Sequence, residues 1–252
     1  MPHDTDDEQA GDRGERIAKV IARIGVCSRR EAEQRIAEGR VSVNGRPISS
    51  PATLISEADT VCIDGVVLPE KPRARLWRYH KPPGLLTTHN DPQGRPTVFD
   101  RLPAALGRVI SVGRLDLASE GLLLLTNDGT LARRLELPAT GWTRRYKVRA
   151  YGFVDESALA GLQAGVTVAG IHYAPIEARL ERTQGSNVWL TMALQEGKNR
   201  EIRKVLEALG LQVNRLIRLA FGPFQLGNLP RGEITEISPK VLREQLGKGI
   251  FG

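Results

Sequence analysis

The chain has 252 residues, 40% of them hydrophobic, and carries a formal net charge of +7 with a pI near 9.7. That length suits one large domain, or a small one followed by a larger one, and the apolar content is enough for a proper core. No apolar run approaches a membrane span and the N-terminus is acidic, not a cationic-then-apolar leader; with the two cysteines, Cys27 and Cys62, lacking metal-ligand spacing, the sequence reads as a cytoplasmic protein with reduced structural thiols.

Residues 1–13 hold Asp4, Asp6, Asp7, Glu8 and Asp12 against Arg13, without apolar periodicity, and read as a disordered acidic tail. The rest is therefore more basic than the whole chain, which fits a polyanionic partner. Ile17, Val20, Ile21 and Ile24 fall at i, i+3, i+4 and i+7, predicting a helix ended by Gly25. Ser28-Arg29-Arg30-Glu31 has capping-box spacing and predicts a second helix, closed near Gly39. Val41-Ser42-Val43 alternates as a strand before an Asn44-Gly45 turn, and residues 61–68 read as a hairpin around Asp64-Gly65. Residues 14–69 thus form a small α+β module. Arg16, Lys19, Arg29, Arg30, Arg35 and Arg40 decorate it, either as a solvated helix face or as a phosphate-binding surface. Residues 70–75, with Pro72 and several charges, read as a linker that lets the module tether a second domain, 76–252, to its ligand.

That domain opens with a strand over 76–80, a Lys81-Pro82-Pro83-Gly84 turn to which no chemistry is assigned, and a second strand over 85–89; His80 and His89 read as structural. Ile110 and Val112 lead into a polar loop, Gly113-Arg114-Leu115-Asp116-Leu117-Ala118-Ser119-Glu120-Gly121, which leaves through Leu122 to Leu125, a buried-strand signal. Asp116 therefore sits in a loop held by core elements at both ends, where scaffolds carry reactive groups. Taken alone it is as readily a turn or helix-cap acid. A helix over 129–137 and a strand over 143–150 follow. In the strand Tyr146, Val148 and Ala150 point one way, and Arg145, Lys147 and Arg149 form an entirely cationic second face. A helix over 155–165 and strands over 166–168, 176–180 and 188–194 come next. Residues 196–205 then open a helix buried through Ile202, Val205, Leu206 and Leu209, with Asn199 and Arg203 at the edge of that stripe and Arg200 and Lys204 facing away. A partly buried Arg203 calls for a carboxylate. A short helix over 239–246 closes the chain.

The string Gly-Arg-Leu-Asp, Glu-Gly-Leu-Leu-Leu-Leu-Thr-Asn-Asp-Gly resembles the catalytic motif of the RsuA/RluB family of ribosomal-RNA pseudouridine synthases. Lys-Pro-x-Gly with Gly94-Arg95-Pro96-Thr97-Val98 resembles that family's first motif, and Gly197-Lys198-Asn199-Arg200-Glu201-Ile202-Arg203 its third. The helix, Ser-Arg-Arg-Glu-Ala helix and Gly-Arg-Val-x-Val-Asn-Gly at the N-terminus resemble the α-L RNA-binding module of the kind found in ribosomal protein S-four. The resemblance implies an α+β protein: the α-L module, then a mixed, largely antiparallel sheet with flanking helices. It implies isomerisation of a ribosomal-RNA uridine to pseudouridine without cofactor or metal. Asp116 would be the catalytic carboxylate, Arg203 its ion-pair partner, and Tyr146 a ring that stacks on the base or assists proton transfer. Arg114, Lys198, Asn199 and Arg200 join the six N-terminal residues as candidate RNA contacts. The Arg-Leu-Ile-Arg and Gly-x-Leu-Pro-x-Gly strings look most like the RluB branch, acting on large-subunit (23S) RNA, with small-subunit (16S) RNA as the alternative and a monomer as the expected state. A rival of another class is a non-catalytic RNA-binding assembly factor.

Overall fold

The computed structural model of the chain describes residues 14–70, 72–137 and 140–247; the acidic stretch 1–13, expected to be disordered, lies outside them. The chain divides into two compact units: the described residues up to Arg73 with Gly107–Val109, and Ala74–Leu106 with Ile110 onward.

In the first unit a short strand β1 (Glu15–Arg16) leads into helix α1 (Ile17–Ile24), which Gly25 ends in the left-handed conformation. Helix α2 (Arg29–Ala37) begins with the full capping box: Ser28 accepts from the Glu31 amide, and the Glu31 carboxylate accepts from the Ser28 amide at 2.6 Å. Strands β2 (Val41–Val43), β3 (Arg46–Pro47), β4 (Leu54–Ile55), β5 (Val61–Ile63) and β6 (Val66–Val67) complete the unit. They pair as a four-stranded antiparallel sheet, β3-β2-β5-β6, with β4 on β1. Its tight turns use Asn44 and Asp64 at positive φ, each followed by glycine. The core is Ile17, Ile21, Ile36, Val41, Val61 and their neighbours.

The second unit is built on one large sheet. Strand β7 (Leu76–Lys81) is followed by β8 (Ile110–Val112), β9 (Ser119–Thr126), helix α3 (Gly129–Glu136) and β10 (Arg144–Tyr151). Helix α4 (Glu156–Gly161), the hairpin β11 (Val166–Val168) and β12 (Ile171–Tyr173), and the long strands β13 (Ile176–Gln184) and β14 (Asn187–Leu194) come next. Helix α5 (Glu201–Ala208), β15 (Gln212–Phe221), β16 (Phe224–Gln225), β17 (Ile234–Glu236) and α6 (Pro239–Leu246) finish it. The strand order is β13-β14-β10-β15-β9-β7-β17, antiparallel except where β15 and β9 run parallel. This is the mixed, largely antiparallel α+β architecture the sequence implied.

Two apolar clusters flank the sheet. One packs Val148, Ala150, Leu190 and Met192 against Leu159, Ile202, Val205 and Leu206 of α4 and α5. The other packs Leu122 and Leu124 against Leu131 and Leu135 of α3 and Leu242 of α6. Three local expectations need correction. Residues 85–89 form no strand; Leu86 makes an isolated bridge to Thr97, and Thr87 spends its hydroxyl on the neighbouring loop. Helix α5 starts at Glu201, because Arg200 takes a left-handed backbone (φ 53) as its N-cap, so Asn199 lies before the helix and not on its flank. The expected linker also ends early: Arg75 donates its amide to Asn127 at 2.7 Å and pairs with Glu236, inside the second unit.

The parallel seam allows no side chain at Gly121. Its φ is +105, and a Cβ there would lie 2.4 Å from the Arg218 carbonyl oxygen. Strain and overpacking each cost about 1–3 kcal/mol, so Gly121→Ala is expected to lose about 3 kcal/mol or more in urea unfolding. A loss under about 1 kcal/mol would mean the seam yields easily.

Candidate active site

Alternation decides which side chains the sheet offers to its front face. In β7, Trp77, Tyr79 and Lys81 share a phase and all are buried. In β15, Leu216 and Arg218 do likewise. In β10, Tyr146 stands opposite Met192 on one neighbour and Arg218 on the other. Between β8 and β9 runs the loop that carries Asp116.

That loop is held by its backbone. The Leu115 carbonyl accepts from Thr87 Oγ1 at 2.9 Å, and the Asp116 carbonyl from the Ser119 amide at 3.0 Å. Leu117 accepts from the Gly84 amide at 2.7 Å, and Ala118 from Arg203 Nη2 at 3.3 Å. The fully buried Lys81 ammonium binds the carbonyls of Pro82 (3.0 Å), Asp116 (3.2 Å), Leu117 (3.4 Å) and Ser119 (2.9 Å). Every carbonyl of residues 115–119 therefore has a donor. The Asp116 carboxylate, by contrast, accepts no hydrogen bond and makes no ion pair among the described residues. It is half-buried and lines a cleft of about 930 Å³ with Tyr146, Arg114, Arg144 and Arg218. A rigid loop with its acid left unbound is what a preorganised reactive group requires.

The cleft holds most of the second-unit residues anticipated from the sequence. Asp116, Tyr146, Arg114, Lys198, Asn199 and Arg200 all line it. Lys198 is tied back to Glu196 at 2.9 Å and to the His172 carbonyl at 2.6 Å. Arg203 differs from expectation. It makes no ion pair with Asp116 within 4.0 Å; its guanidinium bridges the carbonyls of Val213 (3.0 Å) and Ala118, gripping the loop two residues past the acid. Burial and the nearby Arg200 weaken its hold on its proton, and the Asp116 charge opposes both. In the first unit Arg16, Lys19 and Arg29 line a groove, Arg30 is exposed and Arg35 half-buried, and Arg40 is engaged by Asp64 at 2.6 Å and Glu38 at 3.2 Å.

Lys81, Arg218 and Glu201 escaped the sequence reading. Burial pushes the Lys81 ammonium down to about 8, partly offset by the charges of Asp116 and Glu120. Arg218, 3% exposed, donates Nε to the Leu122 carbonyl at 2.7 Å and keeps an unpartnered Nη2. Glu201, 4% exposed, accepts from the Lys198 amide at 2.9 Å, has no partner for Oε1, and is pushed up by burial. The signal was available: a charged residue in phase with a buried stripe.

Arg203→Lys should separate gripping from mere charge. A lysine cannot bridge two carbonyls in the fork geometry of a guanidinium, and a 1 Å misplacement at a reacting group costs about 10²-fold. The expected result in steady-state kinetics is kcat lowered about 10- to 100-fold with KM within about threefold. An unchanged kcat would remove Arg203 from the site's support.

Comparison with known proteins follows the same lines. Residues 75–208 match the family model described as RNA pseudouridylate synthase, and residues 15–61 match the S4 domain. The chain is 48% identical over 230 residues to the uncharacterized RNA pseudouridine synthase of Rickettsia felis, covering 91% of this chain and 100% of that protein. It is 42% identical over 234 residues to ribosomal large subunit pseudouridine synthase B of Yersinia pestis, covering 90% and 74% respectively. A crystal structure of a pseudouridylate synthase superposes with a TM-score of 0.63 at 28% identity, covering 92% of this chain and 99% of that one. The chain therefore belongs to the RNA pseudouridylate synthases, in the RsuA/RluB group, enzymes that isomerise uridine to pseudouridine in RNA.

Proposed function

We propose that the substrate is a single uridine of large-subunit ribosomal RNA and that Asp116 is the carboxylate that acts on it. The observation that carries the catalytic assignment is the unbound Asp116 carboxylate on a fully clamped loop at the wall of the cleft. The target base has to leave its stack to enter such a cleft, and the half-buried Tyr146 ring offers a stacking face there. In the isomerisation the N1–C1′ bond breaks, the freed uracil turns, C5 joins C1′, and the proton lost from C5 is balanced by one gained at N1. Asp116 acts either as nucleophile at C1′ or as base at the sugar. Lys81 and Arg203 hold the loop and do not touch the base. Large-subunit RNA is favoured by the likeness to the Yersinia pestis enzyme named for that subunit.

Carbodiimide labelling and primer extension on both ribosomal RNAs, in cells with and without the gene, test this reading. Loss of one 23S signal, restored by the wild-type gene, is the expected result. Loss of a 16S signal would overturn the choice of subunit, and no change in either RNA would overturn the ribosomal substrate.

A further inference from the structure

The back face of the sheet is cationic over four strands. Cross-strand register puts Arg179, Thr191, Lys147 and Ile217 in one row and Arg182, Trp189, Arg149 and Arg215 in the next. Arg145 lies in the row on one side and Tyr151 in the row on the other. Helices α4 and α5 pack on the opposite face through Val148, Leu190 and Met192, so this part of the sheet keeps its second face exposed. Lys147 is paired with Glu181 at 3.0 Å and Arg215 with Glu120 at 2.5 Å. Arg145, Arg149, Arg179 and Arg182 make no ion pair with an acid among the described residues. At the centre stands the half-buried Trp189 ring, with Lys147 Nζ 5.4 Å and the Arg182 guanidinium 5.6 Å from its centroid. Tyr151 is 53% exposed, and Phe153, two residues beyond the end of β10, is 88% exposed.

We propose that this face is a second RNA-binding surface, separate from the catalytic cleft, that takes a single-stranded stretch of the substrate outside the target site. Arg145, Lys147 and Arg149 recur about every 7 Å along β10, and the two arginines have no acid partner among the described residues; such a row suits a phosphate backbone. Aromatic rings on an exposed sheet face suit stacked bases. A second copy of the same face would bring like charges together, which disfavours self-association. The proposal rests on RNA as substrate and not on which uridine is converted.

The test is titration of the full chain with a 12-nucleotide oligoadenylate, which contains no uridine, read by tryptophan fluorescence. Quenching is expected in the wild type and absent in Trp189→Phe, which assigns the signal to this face and not to the first unit. Arg149→Glu with Arg182→Glu should weaken the quenched binding at least tenfold and flatten its salt dependence. The same variant should keep kcat on a minimal hairpin substrate and raise KM on a long ribosomal-RNA fragment. Circular dichroism checks that it folds; should it fail to fold, the wild-type and Trp189→Phe titrations still decide. Equal quenching in Trp189→Phe, unchanged affinity in the folded charge-reversal variant, or dimerisation through this face would overturn the proposal. Failure of the 23S assignment would leave these titrations unaffected.

Discussion

Asp116→Asn is expected to lower single-turnover pseudouridine formation about 10³-fold or more while leaving the thermal midpoint almost unchanged. The structure motivates both halves. The carboxylate lines the cleft and no described residue binds it, so amidation breaks no contact. Asparagine is as good a turn residue as aspartate, so the loop, held through its carbonyls, should keep its shape. What disappears is the negative charge and the ability to act as nucleophile or base, worth about 4 kcal/mol of barrier for a 10³-fold effect. The variant also separates the two readings of this acid. A turn or cap residue would tolerate the change with activity intact, and retention of more than a tenth of wild-type turnover would dismiss Asp116 from catalysis.

Lys81→Met is expected to cost about 10²-fold in kcat, with a smaller effect on stability at neutral pH. Two terms oppose each other. Removing the ammonium deprives the Pro82 and Ser119 carbonyls of a donor, at about 1–3 kcal/mol each where no other donor replaces it. It also relieves the desolvation of a buried charge, of about 3 kcal/mol for an ammonium pushed down to about 8. The two terms nearly cancel, so the net loss below pH 8 should be only about 1 kcal/mol. The sign with pH follows from linkage. Between pH 8 and the unfolded value near 10.5 the folded chain binds fewer protons at this site than the unfolded chain, so its stability rises with pH there. The stability gap between wild type and Lys81→Met should widen across that window. Wild-type activity should fall over the same window, because a neutral amine turns a lone pair toward carbonyl oxygens. Urea unfolding and single-turnover rates from pH 7 to 10 measure both. Parallel pH profiles for the two proteins would remove Lys81 from the loop's support.

Much of the fold was legible because local chemistry agreed with it. The capping box at Ser28 and Glu31, the Asn44-Gly45 and Asp64-Gly65 turns and the run Leu122 to Leu125 each carry their own signal. Residues 85–89 misled because Thr87 and Thr88, good strand formers, use their hydroxyls on Leu115 and Asn90 instead of joining a ladder. The start of α5 misled because nothing in the string foretells a left-handed Arg200. At the site, motif resemblance pointed to Asp116, but the means of holding it did not follow from spacing. A buried arginine calls for a carboxylate, whereas Arg203 spends Nη1 and Nη2 on two carbonyls brought from β15 and the aspartate loop and leaves its buried Nε without a partner. Lys81 reads in sequence as part of a turn, although its phase with Trp77 and Tyr79 marks it as an interior cation.

The parallel seam has a consequence for the order of events during synthesis. Ser119, Glu120 and Gly121 are registered by Leu216, Ile217 and Arg218, separated from them in sequence by everything from α3 to α5. Such distant pairings close late, since their loop entropy must be met before any contact rewards it. The Arg203 grip on Ala118 also arrives from downstream of β14. A nascent chain that has already exposed Asp116 thus lacks the strand that fixes the residues beside it. Catalytic competence should appear in one step, once β15 has left the ribosome, and a chain truncated before Leu216 should be inert however well its earlier strands pair.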